Sequence, residues 1–174
     1  AHLMKITFYG TRGSCPTPGE ETLKYGGNTA CVLVESNSGR RLILDAGTGI
    51  RVLGEEFKLH NEDVHILLSH NHYDHIQGFP FFKPLYQKDR KITVYPAQTI
   101  PNEPRAIIEQ IRGSYFPLEE NELAATLHFE TPNWNNQPVT INGFHVHRRG
   151  INHPNGGMAY IVELDNKRVA YVTD

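Results

Sequence analysis

Val64-His65-Ile66-Leu67-Leu68-Ser69-His70-Asn71-His72-Tyr73-Asp74-His75 decides how the rest of the chain is read. Its first five positions form a short apolar run, which predicts a buried strand over Val64–Leu68. The strand ends at Ser69-His70, where a rigid sheet hands over to a loop. His70 and His72 stand two apart in extended backbone and project to the same side. Asp74 and His75 open the next turn and address a neighbouring point. Imidazole nitrogen and carboxylate oxygen are ligands suited to zinc and related transition metals. Four such groups within six residues are too many for one open catalytic ion, so they divide between two.

Outward from this string, strands dominate. Lys5–Tyr9 alternates with Ile6 and Phe8 on one face, Ala30–Glu35 is a second strand, and Leu42-Ile43-Leu44 is a buried one that stops at Asp45. Thr11–Gly27 is rich in Gly, Pro, Ser and Thr and reads as a long loop of the kind that carries function. Ile50–Phe57 fits a helix. Ile92–Tyr95 is a strand stopped by Pro96. Glu103–Tyr115 has helical spacing, with Ile107, Ile108 and Ile111 on one face, and Leu123–Leu127 suggests a helical turn. Val139–His147 alternates around Asn142-Gly143. Met158–Leu164 and Arg168–Thr173 pair through Asp165-Asn166-Lys167. The pattern predicts a mixed α/β or α+β domain with sheets packed between helices.

The chain has 174 residues, one domain's worth, and can bury a core without disulfides. Lys and Arg number 17 against 19 Asp and Glu, a net charge of −2, which argues against a nucleic-acid polymer as partner. No apolar run approaches a membrane span and no secretory signal opens the chain. Ala1-His2-Leu3 before Met4 reads as a cloning remnant, leaving residues 4–174 as the domain. Cys15 and Cys31 form no disulfide framework, so reduced thiols and a cytoplasmic location are expected. Asp45, beside the Ala46-Gly47-Thr48-Gly49 turn, is read either as an acid that accepts the second N–H of a ligand His or as a turn-forming Asp. Gly49–Gly54 has the spacing of a phosphate-binding loop, but Glu55 follows where Lys is needed.

The H-x-H-x-D-H string after a buried strand resembles the metal motif of the metallo-β-lactamase superfamily. The resemblance extends to Gly10-Thr11-Arg12-Gly13-Ser14, Tyr25-Gly26-Gly27-Asn28-Thr29, Leu44-Asp45-Ala46-Gly47-Thr48-Gly49 and Asp74-His75-Ile76-Gln77-Gly78-Phe79-Pro80, in the same order. It implies an αββα sandwich with the metals at one edge between the sheets. It further implies that His70 and His72 bind a first ion with His153, that Asp74 and His75 bind a second, and that Asp174 bridges both. In the superfamily a later His usually completes the second site. None follows Asp174, so the C-terminal part of the sandwich is expected to be missing.

Two divalent ions, zinc in the first instance with manganese or iron as alternatives, would activate a bridging water as hydroxide, and Asp74 would hold or shuttle the proton. This predicts a metal-dependent hydrolase acting on a small molecule. His75 at the end of the string is similar to the dinuclear branches, and the Gly-Thr-Arg-Gly-Ser and Tyr-Gly-Gly-Asn-Thr stretches resemble small phosphodiesterases. A small or cyclic nucleotide-like phosphodiester is the favoured substrate. A thioesterase or lactonase is the runner-up, and a non-catalytic metal-binding sensory or scaffold module the alternative from another class. Arg12 either reaches a substrate phosphate or is solvated. His145 and His147 read as a polar strand face, His65 as a satisfied core His, and His60 and His128 as surface residues. Phe79, Phe81, Phe82 and Tyr86 read as ordinary core. An incomplete sandwich exposes an apolar sheet face, so association with a second copy is expected.

Overall fold

The computed structural model describes residues 4–99 and 102–174. Strands β1 (Met4–Gly10), β2 (Cys31–Ser36), β3 (Arg41–Leu44), β4 (Val64–Leu67), β5 (Lys91–Tyr95) and β6 (Thr126–Phe129) lie side by side in that order. The first two pairings are antiparallel and the remaining three parallel. Strands β7 (Val139–Ile141), β8 (Phe144–Ile151), β9 (Gly157–Leu164) and β10 (Lys167–Tyr171) form a second, wholly antiparallel sheet in the order β10-β9-β8-β7.

Both faces of the first sheet are covered, so its central strands β3 and β4 are mostly apolar, with Arg41 at the start of β3 and half-buried His65 in β4 as exceptions. On β2, Cys31 and Leu33 face one core while Val32 and Val34 face another. Ile43 and Ile66 take the first side, Leu42, Leu44 and Leu67 the second. The first core is covered by helix α1 (Gly49–Phe57), which buries Ile50, Leu53, Gly54 and Phe57 at helical spacing. The second core lies between the sheets and takes Phe144, Val146, Tyr160 and Val162 from the smaller one. The described residues thus supply a helical layer and two packed sheets. The outer face of the smaller sheet, which bears His145, His147 and Arg149, has no helix over it among the described residues.

Three expectations from the sequence differ from the structure. Residues Glu103–Tyr115 do not form a regular helix. Their backbone bonds are mostly three-residue turns, such as Ala106 N–H to Glu103, Ile108 N–H to Arg105 and Ile111 N–H to Ile108. Adjacent β-branched Ile107 and Ile108 lose side-chain freedom in a helix, and burial holds them whatever the hydrogen-bonding pattern. All three isoleucines are buried, so the periodicity reported burial rather than helix. The helical turn expected over Leu123–Leu127 is also displaced. A short 3-10 turn occupies Glu120–Glu122, closed by reciprocal bonds between Glu119 and Glu122, and Thr126–Phe129 joins the sheet beside β5. The Phe79–Tyr86 aromatics divide: Phe79 and Phe82 are core, whereas Phe81 and Tyr86 are exposed.

The β7–β8 hairpin turns on Asn142 (φ 46°) and Gly143 (φ 84°), both left-handed as a two-residue turn requires. A Cβ on Gly143 would also lie 2.7 Å from the Arg40 side chain. Gly143→Ala is therefore expected to lower stability by about 1–2 kcal/mol. Thermal melting checks this, and an unchanged midpoint would contradict the assigned turn.

Candidate metal centre

Parallel strands place ligand-bearing loops at their carboxyl ends. Asp45 follows β3, and Ser69-His70 follows β4. The chain stays extended through His72 (φ −59°, ψ 147°) and then closes a single helical turn, α2 (Tyr73–Ile76). His75 N–H donates to the His72 carbonyl at 2.9 Å. That turn swings Asp74 and His75 under the sheet edge, where both are buried.

The structure brings His70, His72, His153 and Asp174 into one cluster and Asp74, His75 and Asp174 into another. Within each, one candidate ligand atom per residue lies within 4.8 Å of the others. Asp174 divides its two oxygens between them. Its Oδ2 lies 3.8 Å from His70 Nε2 and 3.6 Å from His153 Nε2, and its Oδ1 lies 3.3 Å from His75 Nε2. His153 Nε2 approaches His72 Nδ1 at 2.9 Å. Asp74 Oδ2 is 3.4 Å from His75 Nε2 and accepts the backbone N–H of Ser14 at 2.9 Å. Ser14 reaches it from the long first loop with a left-handed φ of 68°.

Behind the histidines stands Asp45, fully buried. Its Oδ1 accepts Ser69 N–H, and its Oδ2 accepts the Ser69 hydroxyl, His75 Nδ1–H and the Tyr171 hydroxyl, all at 2.7 Å. With its own proton given to Asp45, the Ser69 oxygen is free to accept His70 Nδ1–H at 3.0 Å. Both histidines are thereby fixed as the tautomer with the proton on Nδ1, and each Nε2 lone pair faces the cluster. His70 Nε2 is buried and has no hydrogen-bond partner. A buried, unpartnered acceptor is rare, and a bound cation accounts for one. Nitrogen and carboxylate donors with no thiolate suit zinc, manganese or iron. The donor set thus fits divalent ions.

Burial pulls the His70 imidazole down to about 4, helped by the neighbouring His75. Burial also lowers His75, but its hydrogen bond to Asp45 and the surrounding carboxylates more than offset this and raise it. Asp174 is raised by burial, yet the Thr173 hydroxyl and the three facing imidazoles hold it below the ordinary carboxylate range. Beside His70 and His72 opens a cleft of about 160 Å³, bordered by Asn71, Thr99, Glu103 and Asn155.

Arg12 is not brought into the cluster. It is exposed, and its backbone bridges to Thr29. His65 is half-buried with Nδ1 3.1 Å from the Tyr95 hydroxyl, and His60 and His128 are exposed. Ser14, Ser69 and Tyr171 escaped the sequence reading. Ser69 was findable, because a hydroxyl directly between a strand end and a candidate ligand is well placed to bond it. Tyr171 becomes visible only once β10 is packed against β3.

Two glycines of the flanking stretches, Gly47 and Gly78, share a cause. A Cβ on Gly78 would lie 2.0 Å from the Gly47 carbonyl oxygen, and one on Gly47 2.4 Å from that of Asp74. The turn after β3 and the turn of α2 touch backbone to backbone, joined by Ala46 N–H to His75 O and Gly78 N–H to Ala46 O. Residues 40–174 match the family model described as a beta-lactamase superfamily domain. The chain belongs to that superfamily. Solved structures show the same fold. The metallo-beta-lactamase fold protein YhfI from Bacillus subtilis is 22% identical, with a TM-score of 0.66 over 97% of this chain and 62% of its own. The short form of human tRNase Z is 17% identical, with a TM-score of 0.64 over 99% and 69%. A diphosphatase of the PhnP family is 12% identical, with a TM-score of 0.62 over 93% and 63%. This chain therefore spans between three fifths and seven tenths of the length of these superfamily structures. No curated protein matches it. Among the described residues no helix is long and apolar enough to cross a membrane.

Proposed function

We propose that the chain is the core of a metal-dependent hydrolase that holds two divalent cations and cleaves a phosphodiester in a small or cyclic nucleotide-like substrate. The observation that carries this reading is the division of the Asp174 oxygens between two ligand clusters. His70, His72, His153 and Asp174 would hold one cation, and Asp74, His75 and Asp174 the other. Zinc fits first, with manganese and iron as alternatives. Bound there, the ions supply Lewis acidity and bring the pKa of bound water toward neutrality.

The chain's own residues do the rest. Asp45 fixes His75 directly and His70 through Ser69, so the ligand nitrogens are set before any ion arrives. Asp74, steadied by Ser14 N–H at 2.9 Å, has a second carboxylate oxygen with which to hold a proton. The cleft beside His72 offers Asn71, Asn155 and Thr99 as polar partners for the substrate. A phosphate ester is favoured because similar folds include a tRNase and a diphosphatase. Arg12 remains a candidate contact for such a phosphate if its loop closes over the cleft. Cytoplasmic residence rests on free Cys15 and Cys31. A second copy would cover the open face of the smaller sheet.

The test is metal content and turnover. The wild-type chain loaded with zinc is expected to bind two ions and to hydrolyse an aryl phosphodiester. His72→Ala should weaken metal binding at least about 100-fold, since outer partners of ligand histidines alone are worth 10–100-fold. Binding of one ion or none, with no turnover, would instead favour a sensory or scaffold module. Turnover of thioesters or lactones but not phosphodiesters would move the reading to a thioesterase or lactonase.

A further inference from the structure

The candidate ligands are split between the two sheets. His70, His72, Asp74 and His75 follow β4 of the larger sheet, whereas His153 lies between β8 and β9 and Asp174 follows β10. The spacing across the clusters therefore depends on how the sheets are held together at this one edge. Apolar contacts between sheets are non-directional and tolerate small slides, whereas hydrogen bonds do not.

Among the hydrogen bonds that cross between the sheets, three meet the segments that follow β3 and β4. Met158 N–H donates to the Ser69 carbonyl at 2.9 Å. The Tyr160 hydroxyl donates to the Leu68 carbonyl at 2.7 Å, and the Tyr171 hydroxyl to Asp45 Oδ2 at 2.7 Å. Tyr160 and Tyr171 are directly opposed partners of β9 and β10. Their phenols reach together across the interface, one to the segment that leads into His70 and the other to the carboxylate behind His75.

We propose that Tyr171, with its cross-strand partner Tyr160, is a positioning residue of the metal centre: its hydroxyl ties the strand ending at Asp174 to the carboxylate that orients His75. The inference rests on the metal-centre reading above. Asp174 lies three residues beyond Tyr171, so an anchor there sets where the strand releases the carboxylate. The same Asp45 oxygen receives Tyr171 and His75, so loss of the phenol leaves more of that oxygen to the imidazole and changes the His75 hydrogen bond. Removing the hydroxyl leaves Asp45 with Ser69 and His75 as donors and removes no ring volume, so the core stays filled.

The test compares Tyr171→Phe and Tyr160→Phe with Tyr95→Phe, whose hydroxyl meets His65 away from the clusters. Zinc affinity is read by competition with a chromophoric chelator, and the His75 ring nitrogens by NMR of the metal-free protein. Tyr171→Phe is expected to weaken zinc binding about 10-fold or more and to move the His75 Nδ1 resonance. Tyr160→Phe should weaken zinc binding in the same direction, and Tyr95→Phe should change neither reading. A folded Tyr171→Phe protein with wild-type zinc affinity and an unmoved His75 resonance overturns the inference, whatever its melting temperature. If the wild type takes up no zinc at all, the metal-centre reading fails, and the His75 resonance alone then decides whether Tyr171 acts through Asp45.

Discussion

Asp45→Ala is expected to be the most damaging single change at the centre, lowering the stability of the metal-free protein by roughly 3–5 kcal/mol. The carboxylate is fully buried and accepts four hydrogen bonds, from Ser69 N–H, the Ser69 hydroxyl, His75 and Tyr171. Without it, those buried donors lose their acceptor. The backbone adds a second penalty. Asp45 has a φ of 62°, a region that Asp and Asn enter readily and Ala does not, worth about 1 kcal/mol. Asp45→Asn separates the two effects. It keeps the backbone preference and one acceptor oxygen, so part of the stability returns. His75 then loses the charge that orients it, and zinc affinity stays depressed about 10–100-fold. Thermal melting and zinc titration of the two variants check this. An Asp45→Ala protein that melts within about 2 °C of wild type would show that the network contributes little to the fold.

The sequence exposed the parts of the fold that are governed by local patterning. Leu42-Ile43-Leu44 is apolar throughout, and Val64–Leu68 is apolar except at half-buried His65, because both faces of the parallel strands are covered, and they were readable as buried strands for that reason. Asn142-Gly143 fixed its hairpin through the left-handed turn it prefers. Glu103–Tyr115 misled because three buried isoleucines produce the same spacing in successive turns as in a helix. Thr126–Phe129 was missed because an edge strand with alternating half-buried Leu127 and Phe129 carries a weak signal, and its pairing with β5 is a non-local fact.

The candidate site was legible where its residues are contiguous. Four of the six clustered residues lie in one string, and their number alone argued for two clusters. His153 and Asp174 were reached only through family resemblance, since a lone loop His and an acid after a strand carry no signal of their own. Tyr171 was not reached at all. Its role depends on which face of β10 meets Asp45, 126 residues earlier. Arg12 lies in the same loop as Ser14 and is exposed. A basic residue in a functional loop attracted notice, whereas the contact that loop makes is the backbone N–H of Ser14, which no side-chain motif reports.

Gly78→Ala is expected to destabilise the fold by at least about 3 kcal/mol, at or above the usual range for overpacking. The added methyl would lie 2.0 Å from the Gly47 oxygen, 2.6 Å from its carbonyl carbon and 2.9 Å from Thr48 Cα. All three are backbone atoms, and neither side can retreat. Ala46 and Gly78 are pinned by hydrogen bonds across the contact, while Thr48 is held by reciprocal bonds with Thr29, each 2.8 Å. The strain must therefore move α2, which carries Asp74 and His75, so loss of the second ligand cluster should accompany loss of stability. Gly13→Ala provides the contrast. It lies in another of the glycine-bearing stretches, yet a Cβ there meets nothing within 4 Å. That variant should melt within about 0.5 kcal/mol of wild type and bind zinc normally. Equal behaviour of the two variants would mean that the backbone contact between the β3 and α2 turns does not set the geometry of the centre. A large loss confined to Gly78→Ala would mean that the glycine is kept to let one loop touch another, rather than to make either loop flexible.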